Sequence, residues 1–307
     1  MSKRYRARRS GLTEPAAPGP RGVEAVPESE LEPGLYLVAT PIGNLADITL
    51  RALTVLRGVD RIYCEDARVT GKLLAKYGIS TPLALYHDHN AEQTRPAILG
   101  ALRRRERLAL VSDAGTPLVS DPGYKLVRAA IAEHLPITAV PGPSAAVTAL
   151  ILSGLPTDAF LFAGFLPARQ AARRHALERW AAVEASLIFF ESAPRLVESL
   201  ADMASILGDR PATVARELTK LHEEVRRGGL ADLAGHYRGA GPPRGETVIV
   251  VAPPVRSEPE QAEVEQHLRN ALATLSLREA VAKVAAETGV SRTKIYRRAL
   301  AMKGEPG

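Results

Sequence analysis

Short apolar runs alternate with stretches of helical periodicity over the first half of the chain. Runs that suit buried strands occupy residues 35–40, 61–66, 108–113 and 137–140. Between them, apolar residues recur every three or four positions, which predicts amphipathic helices over residues 48–58, 71–77, 92–103 and 123–133. Strands that alternate with helices in this way predict a mainly parallel α/β sheet.

The second half repeats this organisation and then changes. Strand-like runs lie at residues 187–192, 212–217 and 246–252, with helical stretches between them. A Pro-rich segment follows, and the remaining residues show helical periodicity only. The expected fold class is therefore α/β, with two α/β domains and a C-terminal helix-turn-helix-like appendage. The expected divisions are a tail over 1–32, domains over 33–142 and 143–253, a linker over 254–262 and the appendage over 263–307.

Composition narrows the class of protein. A chain of 307 residues with 46% hydrophobic residues is long enough for about two domains with buried cores. The single cysteine, Cys64, excludes a disulfide framework and a zinc site built on several cysteines. No apolar run reaches the roughly 18 residues of a membrane span, and no apolar secretory segment follows the basic residues 3–9. These features predict a cytoplasmic protein.

The formal net charge of +6 permits a polyanionic partner such as RNA. Basic runs at 3–9, 103–107 and 169–179 either contact phosphates or are solvated. A further basic group lies on the last predicted helix and contains no acidic residue: Arg292, Lys294, Arg297 and Arg298. This helix either contacts RNA phosphates or packs on a partner subunit with a solvated basic face.

The residues before that helix are spaced as in a helix-turn-helix. Ala285 supplies the small residue, Gly289 the turn glycine and Ile295 the apolar contact between the helices. Ser291 is a good N-cap for the second helix. The appendage is therefore expected to be helix, tight turn, helix.

Three loops rich in small residues, at 40–49, 112–123 and 140–146, each follow a predicted strand. Ligands of open α/β sheets bind beyond the carboxyl ends of the strands, so the three loops predict a shared ligand crevice. They contain neither the G-x-G-x-x-G of dinucleotide-binding folds nor the G-x-x-x-x-G-K-[ST] phosphate loop, which disfavours both kinds of nucleotide site.

Several loop residues are expected to begin or end helices. Asp47 is a good N-cap for the first helix, and Gly58 is expected as its C-cap. The two aspartates of the second loop are expected to have different roles. Asp113 is expected to face a ligand, whereas Asp121 is expected to cap the next helix, with Pro122 as its first residue.

The segment 216–224, RELTKLHEE, combines acids and bases after a predicted strand. It is expected to open a helix, on which Arg216, Glu217, Lys220 and Glu224 lie at spacings of three and four residues. The alternative is an ordinary solvated helical face with ion pairs.

Two further acid–base groups follow predicted strands. Glu65, Asp66 and Arg68 form the first, and Glu191 and Arg195 the second. Each group either lines a ligand site or serves as a structural ion pair or helix cap.

The histidines do not point to a metal. His87 and His89 are the only close pair, and alternate residues of a strand would place both on one face. Because no other His or Cys cluster completes a ligand set, no metal site is predicted. The pair is expected at the surface or in contact with substrate.

Seven motifs together carry a resemblance to a known family: PIGNLADIT, EDARVTGKLL, SDAGTPLVSDPG, VPGPSA, FAGFLP, ESAPR and RELTKLHEE. In this order, from about Leu35 to Ala252, the chain resembles the ribosomal small subunit methyltransferase I family of the tetrapyrrole methylase superfamily. Members of that family 2′-O-methylate a cytidine of 16S rRNA in the decoding region. The tail before Pro33 lies outside the resemblance.

The resemblance implies S-adenosylmethionine in a cleft between two α/β domains, usually in a homodimer, with 16S rRNA or the small subunit as partner. The cofactor-binding residues that it implies come from the three loops: Pro41, Gly43, Asn44, Asp113, Ala114, Gly115, Pro141, Gly142, Ser144 and Ala145.

The same resemblance makes Lys220 the candidate for activating or orienting the 2′-hydroxyl. Glu217 would position Lys220, and Arg216 would bind RNA phosphate or pair with Glu217. Two rival functions stay open: methylation of a tetrapyrrole ring, and a non-catalytic RNA-binding factor that keeps a cofactor pocket.

Overall fold

The computed structural model of the chain describes residues 31–241, 243–254 and 261–304, with side chains left undescribed at 261–263 and 303–304. The expected tail and linker fall almost wholly outside the described residues. The chain divides into two units, residues 1–145 and 146–307. Among the described residues, none of the helices combines the length and apolar character that crossing a membrane requires.

The first unit is a five-stranded sheet in the order β3-β2-β4-β1-β5, and every pair is parallel. Its strands are β1 (Gly34–Val38), β2 (Arg61–Cys64), β3 (Leu83–Leu85), β4 (Arg107–Leu110) and β5 (Ile137–Val140). Its helices are α1 (Leu50–Gly58), α2 (Ala67–Lys76), α3 (Ala91–Arg103) and α4 (Tyr124–Ala132). The parallel sheet predicted from the alternating pattern is confirmed.

Both faces of the inner strands β1, β2 and β4 are covered, which explains why these strands are mainly apolar. Tyr36 and Ile62 pack on one face with α1 and α2. Their chain neighbours Leu35 and Tyr63 pack on the other face with α3 and α4. Successive side chains of a strand point to opposite faces, so each strand serves both cores.

Three predicted caps in this unit are wrong. Helix α1 begins two residues later than expected, because the side chain of Thr49 accepts the N–H of Ala52 at 3.1 Å. Asp47 instead ends a short 3₁₀ turn, Leu45–Asp47. At the other end of α1, Gly58 is the last helical residue and the C-cap is Val59.

The third wrong cap concerns the second aspartate of the 112–123 loop. Helix α4 begins at Tyr124 after Gly123, whose φ is +133° and which makes no side-chain cap. Neither Asp121 nor Pro122 is part of the helix. Asp121 is therefore available for another role.

The second unit holds a mixed sheet in the order β6-β7-β10-β8-β9. Only β6 and β7 are parallel, and the remaining pairs are antiparallel. The strands are β6 (Phe160–Phe165), β7 (Ser186–Ser192), β8 (Pro211–Arg216), β9 (Glu224–Gly229) and β10 (Glu246–Val251). The helices around the sheet are α5 (Ala145–Ser153), α6 (Gln170–Glu178), α7 (Leu196–Leu207) and α8 (Leu230–Ala240).

Two basic runs that could have extended an RNA surface are engaged in ion pairs. Arg173 of the 169–179 run is 1% exposed and lies 2.7 Å from the buried carboxylate of Asp202. In the 103–107 run, Arg103 pairs with Glu133 and Arg107 with Asp60. These residues hold elements together, and we do not assign them to RNA.

The last three helices of the second unit share a hydrophobic core of their own: α9 (Gln261–Leu272), α10 (Leu277–Thr288) and α11 (Arg292–Gly304). Ser276 and Glu279 form a capping box at the start of α10, and Gly289 ends it with φ of +69°. Ser291 caps α11 by accepting the N–H of Lys294 at 3.4 Å. Ile295 is fully buried between the helices. The predicted helix, tight turn, helix is confirmed.

Candidate functional site

The three small-residue loops leave three neighbouring strands. Strands β4, β1 and β5 are adjacent in the sheet and parallel, so the loops that follow them emerge at the same edge. Neighbouring strands lie about 4.8 Å apart, which brings the three loops within reach of one small ligand.

Hydrogen bonds tie these loops to one another. Thr40 and Gly115 exchange two backbone bonds, of 2.9 and 3.1 Å, which join the first loop to the second. The hydroxyl of Thr116 donates to Pro143 O at 3.1 Å and joins the second loop to the third. Thr116 thus has a structural role, and the loops form one connected surface.

A side chain would be crowded at two points of this surface. Gly115 has φ of +84°, and a Cβ there would lie 3.3 Å from the Ile42 side chain. A Cβ on Gly142 would lie 3.0 Å from the Cβ of Ala39. Leu118 and Ser120 also have positive φ, and strained backbone of this kind concentrates at ligand sites.

The predicted cofactor residues differ in what they expose. Six of them are exposed and present groups to a ligand: Gly43, Asn44, Asp113, Ala114, Pro141 and Gly142. Ser144 and Ala145 are half-buried, and Pro41 and Gly115 are buried. Since the N–H of Gly115 is bonded to Thr40 O, Gly115 shapes the loop rather than donating to a ligand.

Three carboxyl groups gather beside the second loop. The N–H of Asp113 donates to the carboxylate of Glu65, and the carboxylate of Asp113 accepts the N–H of Asp66 at 3.1 Å. Burial, then the charges of Asp121 and Asp113, raise the pKa of Glu65 to about 7. Burial, then the charge of Asp113, raises the pKa of Asp121 to about 6.

Asp121 is thus half-buried beside Ser112 and Asp113 and is not a helix cap. The predicted cap at Asp121 is therefore wrong, and the predicted contact of Asp113 with a ligand stays a prediction. In the neighbouring group, Asp66 caps α2 and pairs with Arg68 at 2.6 Å, which makes both residues structural. Glu65 remains the candidate for contact with a ligand.

The raised pKa of Glu65 makes the stability of the protein depend on pH. Because the folded pKa of about 7 lies above the ordinary 4.5, the folded state binds the extra proton between these values. Stability is full below about pH 4.5 and falls as pH rises through 7. At pH 8 we expect Glu65→Gln to be more stable than the parent by about 1–2 kcal/mol, after allowance for solvent screening. Urea unfolding at pH 4.5 and pH 8 measures this difference.

The exposed Glu92→Gln serves as a control, since we expect no comparable pH-dependent gain there. An equal effect of Glu65→Gln at both pH values would show that the carboxyl group does not titrate as described.

The 216–224 segment is a hairpin turn, and the predicted helix is wrong. Strand β8 ends at Arg216 and β9 begins at Glu224, directly opposite it in the antiparallel pair. Glu217 and Thr219 have φ of +50° and +65°, a left-handed conformation that an α-helix excludes. Arg216 pairs with Glu224 at 3.0 Å across the hairpin, not with Glu217.

The turn nevertheless brings the two predicted catalytic residues together. Lys220 Nζ lies 2.9 Å from Glu217 Oε1 and 2.9 Å from Glu246 Oε2. Burial alone would lower the pKa of Lys220, but the hydrogen bonds to Glu217 and Glu246 raise it above its ordinary value. The hydrogen bond from Lys220 likewise lowers the pKa of Glu217. Lys220 is therefore protonated in this arrangement.

Glu246 and Gly245 belong to this group and were missed from the sequence. Glu246 begins β10, and its N–H donates to Glu217 Oε1 at 3.2 Å. Gly245 has φ of +94°, and a Cβ there would lie 2.2 Å from that same oxygen. In the sequence, the only sign of this contact was a glycine directly before a strand. The antiparallel pairing of β8 with β10 is what brings Gly245 beside Glu217, and the sequence does not reveal that pairing.

Replacing Gly245 with alanine tests this packing. The new Cβ must displace the Glu217 carboxylate from Lys220 and from the Glu246 N–H. We therefore expect a loss of about 1–3 kcal/mol in the free energy of unfolding, measured by urea denaturation. Gly241 has φ of +82° and open space around its Cβ position, so Gly241→Ala reports backbone strain alone. Equal losses in the two variants would contradict the packing of Glu217 against Gly245.

The other predicted groups are structural or lie elsewhere. Glu191 is buried and accepts hydrogen bonds from Ser199 Oγ at 2.5 Å and Ser192 N at 2.8 Å, with Arg195 at 3.3 Å. His87 and His89 lie in the turn after β3, not on a strand, with ring centroids 6.0 Å apart. Within the described part of the chain, His, Cys, Asp and Glu form no group of three or more that could hold a metal ion.

Helix α11 exposes part of the predicted basic group. Arg292, Lys294 and Arg297 are exposed. Arg298 is different: its Nε lies 2.7 Å from Glu265 Oε1 on α9, so it holds α11 against α9. Tyr296 is 47% exposed beside Arg297 and adds an aromatic ring to the basic surface.

Comparison with protein families matches nearly the whole described chain. Residues 34–234 match the family described as Tetrapyrrole (Corrin/Porphyrin) Methylases. Residues 258–303 match the one described as RsmI C-terminal HTH domain.

Two curated relatives carry the name Ribosomal RNA small subunit methyltransferase I. The protein of Mesorhizobium japonicum is 49% identical over 93% of this chain and 98% of its own length. The protein of Erythrobacter litoralis is 54% identical over 89% of this chain and 96% of its own length.

A solved structure has a similar fold. It is a uroporphyrin-III C-methyltransferase from Thermus thermophilus in complex with S-adenosyl homocysteine, with a TM-score of 0.51 and 20% identity. The match covers 73% of this chain and 99% of that one. At this identity the likeness shows the fold alone.

Proposed function

Because the chain belongs to the tetrapyrrole methylase family and, within it, to the ribosomal RNA small subunit methyltransferase I family, we propose that it 2′-O-methylates a cytidine in the decoding region of 16S rRNA. Its methyl donor is S-adenosylmethionine. The proposal rests on one observation: relatives named as ribosomal RNA methyltransferases match about nine-tenths of this chain. The matched part includes the basic helical appendage. The cytoplasm, where ribosomal subunits assemble, is the expected location.

The three loops fit this cofactor chemically. Its methionine part carries an ammonium and a carboxylate, which need an acceptor and donors respectively. Asp113 exposes a carboxylate, and the close approach at Gly115 and Gly142 leaves no room for side chains over the loop backbone. In our proposal Asp113 accepts from the ammonium, and backbone groups at Ala114 and Gly142 meet the remaining polar atoms.

Methyl transfer to a ribose hydroxyl asks the protein mainly to align and polarise that hydroxyl. The bound cofactor supplies a methyl group on a positively charged sulfur. Lys220 is protonated, so we assign it to holding the 2′-oxygen and stabilising the negative charge that develops there. The proton of the hydroxyl then passes to solvent water, not to Lys220, as the oxygen takes the methyl group. Glu217 and Glu246 fix the ammonium of Lys220 in position.

The basic surface of α11 is assigned to the RNA backbone. Arg292, Lys294 and Arg297 suit phosphate contacts, and Tyr296 can stack on an unpaired base. Arg216 and Arg298, which were also candidates, pair with Glu224 and Glu265 and contribute less.

The triple variant Arg292→Gln/Lys294→Gln/Arg297→Gln tests this assignment. Loss of three phosphate contacts should weaken RNA affinity about 10- to 100-fold near physiological salt and reduce the slope of log K against log salt by about 2. Fluorescence anisotropy with a labelled fragment of 16S rRNA measures both quantities. Arg103→Gln/Arg104→Gln/Arg107→Gln removes three paired cations elsewhere and should leave the slope unchanged. An unaltered slope in the first variant would remove α11 from the RNA contact.

We also propose a homodimer, as in the family. Helix α5 exposes two large apolar side chains one turn apart, Val147 and Ile151, the second at 68%. A pair of apolar residues at this spacing forms one face and favours contact with a second chain. Sedimentation equilibrium gives the mass of the assembly.

One experiment separates the proposal from its two rivals. The protein is incubated with methyl-labelled S-adenosylmethionine and either small ribosomal subunits that lack the modification or uroporphyrinogen III. Label in the RNA of the subunits supports the proposal, and label only in the porphyrinogen contradicts it. RNA binding with no transfer to either acceptor would favour a non-catalytic factor.

A further inference from the structure

Arg95 occupies a position that normally belongs to an apolar residue. Helix α3 buries Ile98, Leu99 and Leu102 against the sheet. Arg95 precedes Ile98 and Leu99 by three and four residues, so it lies on the same face of the helix, one turn nearer the carboxyl edge of the strands. An arginine in that stripe places a positive charge beside the sheet.

Two donors of this arginine are buried without a partner. Nε and Nη2 of Arg95 are inaccessible to solvent and hydrogen-bonded to no residue that the structure describes. A buried donor that makes no hydrogen bond costs free energy, and a buried charge costs more. By contrast, Arg103 at the far end of the same helix pairs through both Nε and Nη2 with Glu133 at 2.7 Å.

A second buried group without a partner lies in the turn before this helix. His87 Nδ1 is buried and hydrogen-bonded to no described residue. Its backbone is fixed, because its N–H donates to Asn90 Oδ1 at 2.8 Å and its carbonyl accepts the N–H of Ala91 at 2.9 Å. Long helical side chains lean toward the N-terminus of their helix, which carries the Arg95 guanidinium toward this turn.

The place of these groups in the sheet favours contact with a substrate. They follow β3, which is two strands from β4 and therefore about 10 Å from the second loop. The exposed Asp88 is the acidic residue of the turn, and the nearby Glu65 carboxyl, with its pKa of about 7, is partly protonated at neutral pH. An anion here thus meets less repulsion than the count of acidic residues suggests.

We propose that Arg95 and His87 bind a phosphodiester of the RNA strand that carries the target nucleotide. Nε and Nη2 of a guanidinium form a planar fork that matches two oxygens of a phosphate, and an imidazole N–H supplies a third donor. The inference rests on the proposed RNA substrate, and its subject is a contact distinct from the basic surface of α11.

Arg95→Met tests the proposal, because methionine keeps much of the side-chain volume and removes the charge. Removal of an unpaired buried cation should leave the unfolding temperature of the free protein unchanged or raised. Inorganic phosphate at tens of millimolar should raise that temperature by roughly 3 °C in the parent and by much less in the variant. The KM for small subunits should rise about tenfold, with kcat and the dissociation constant of S-adenosylmethionine unchanged.

Arg103→Met is the matched control on the same helix and should retain the full response to phosphate. A lowered unfolding temperature in Arg95→Met with an unaltered phosphate response would overturn the proposal in favour of a structural role. A selective loss of S-adenosylmethionine affinity would also overturn it, since the anion would then be the carboxylate of the cofactor. The phosphate titration needs no methyl transfer, so its result stands apart from the success or failure of the proposed function.

Discussion

Replacing Lys220 with alanine is expected to lower kcat about 100- to 1,000-fold while the dissociation constant for S-adenosylmethionine changes less than about threefold. The variant removes the only cation that lies between Glu217 and Glu246 in the described hairpin, and leaves those two carboxylates facing each other. Single-turnover transfer of labelled methyl groups to small subunits measures the chemical step, and calorimetry measures cofactor binding.

The pH dependence distinguishes the two roles that Lys220 could have. The pKa of Lys220 is raised, so an orienting cation should give a rate that does not follow lysine deprotonation between pH 7 and 9. If the rate of the parent instead rose tenfold per pH unit, and the rate of Lys220→Ala did not, Lys220 would be the proton acceptor. Lys220→Arg should recover part of the loss, because the charge is kept and the geometry is not.

Lys125→Ala provides a matched control. Lys125 also pairs with a glutamate, Glu92 at 3.5 Å, but on an exposed surface. We expect near-normal turnover. If Lys220→Ala were as active as Lys125→Ala, Lys220 would have no part in the reaction.

Gly115→Val is expected to weaken S-adenosylmethionine binding at least about 30-fold. A β-branched residue at φ of +84° is strained, and its Cβ would lie 3.3 Å from the Ile42 side chain, which must give way, and in ordinary contact with Pro143 O at 3.7 Å. Ile42 belongs to the first loop and Pro143 to the third, so the larger side chain disturbs the place where the three loops meet. Calorimetric titration with S-adenosylmethionine gives the affinity directly.

Gly208→Val is the control that separates the effect of backbone strain from the effect of a side chain in the cofactor loops. Gly208 has φ of +81° and open space around its Cβ position, at the end of α7. We expect Gly208→Val and Gly115→Val each to lower the free energy of unfolding by about 1–2 kcal/mol, but Gly208→Val should retain its affinity for S-adenosylmethionine. Equal affinities in the two variants would mean that the loops of the first sheet do not hold the cofactor.

The parallel sheet and its ligand edge could be predicted because they depend on local patterns. The apolar runs that became β1, β4 and β5 each end in Gly, Pro and small polar residues, and that pattern fixes where the chain leaves the sheet. The appendage was predictable for the same reason, since Gly289 and Ser291 mark its turn chemically.

The hairpin at 216–224 could not be predicted from spacing. Arg216, Glu217, Lys220 and Glu224 satisfy helical periodicity, yet Glu217 and Thr219 adopt left-handed backbone because β9 pairs with β8. Strand β9, with the sequence EVRRGG, has no apolar run to signal it. Pairing between strands, which is non-local, overrode the local pattern.

The burial and the charge state of individual side chains could not be predicted from the sequence either. The raised pKa of Glu65 depends on the pairing of β2 with β4, which brings Asp113 and Asp121 near it, and the raised pKa of Asp121 depends on its burial within the loop after β4. Likewise, the sequence suggested Arg298 as a phosphate ligand, but in the structure this residue pairs with Glu265 of α9.

The proposed reaction transfers the methyl group to the 2′-oxygen of a cytidine. After transfer from labelled S-adenosylmethionine to small subunits, the 16S rRNA is hydrolysed with alkali and then to nucleosides. A methylated 2′-oxygen cannot attack the adjacent phosphate, so we expect the label in an alkali-resistant dinucleotide and finally in 2′-O-methylcytidine. Label in an alkali-sensitive product, or in a nucleoside methylated on its base, would contradict the claim.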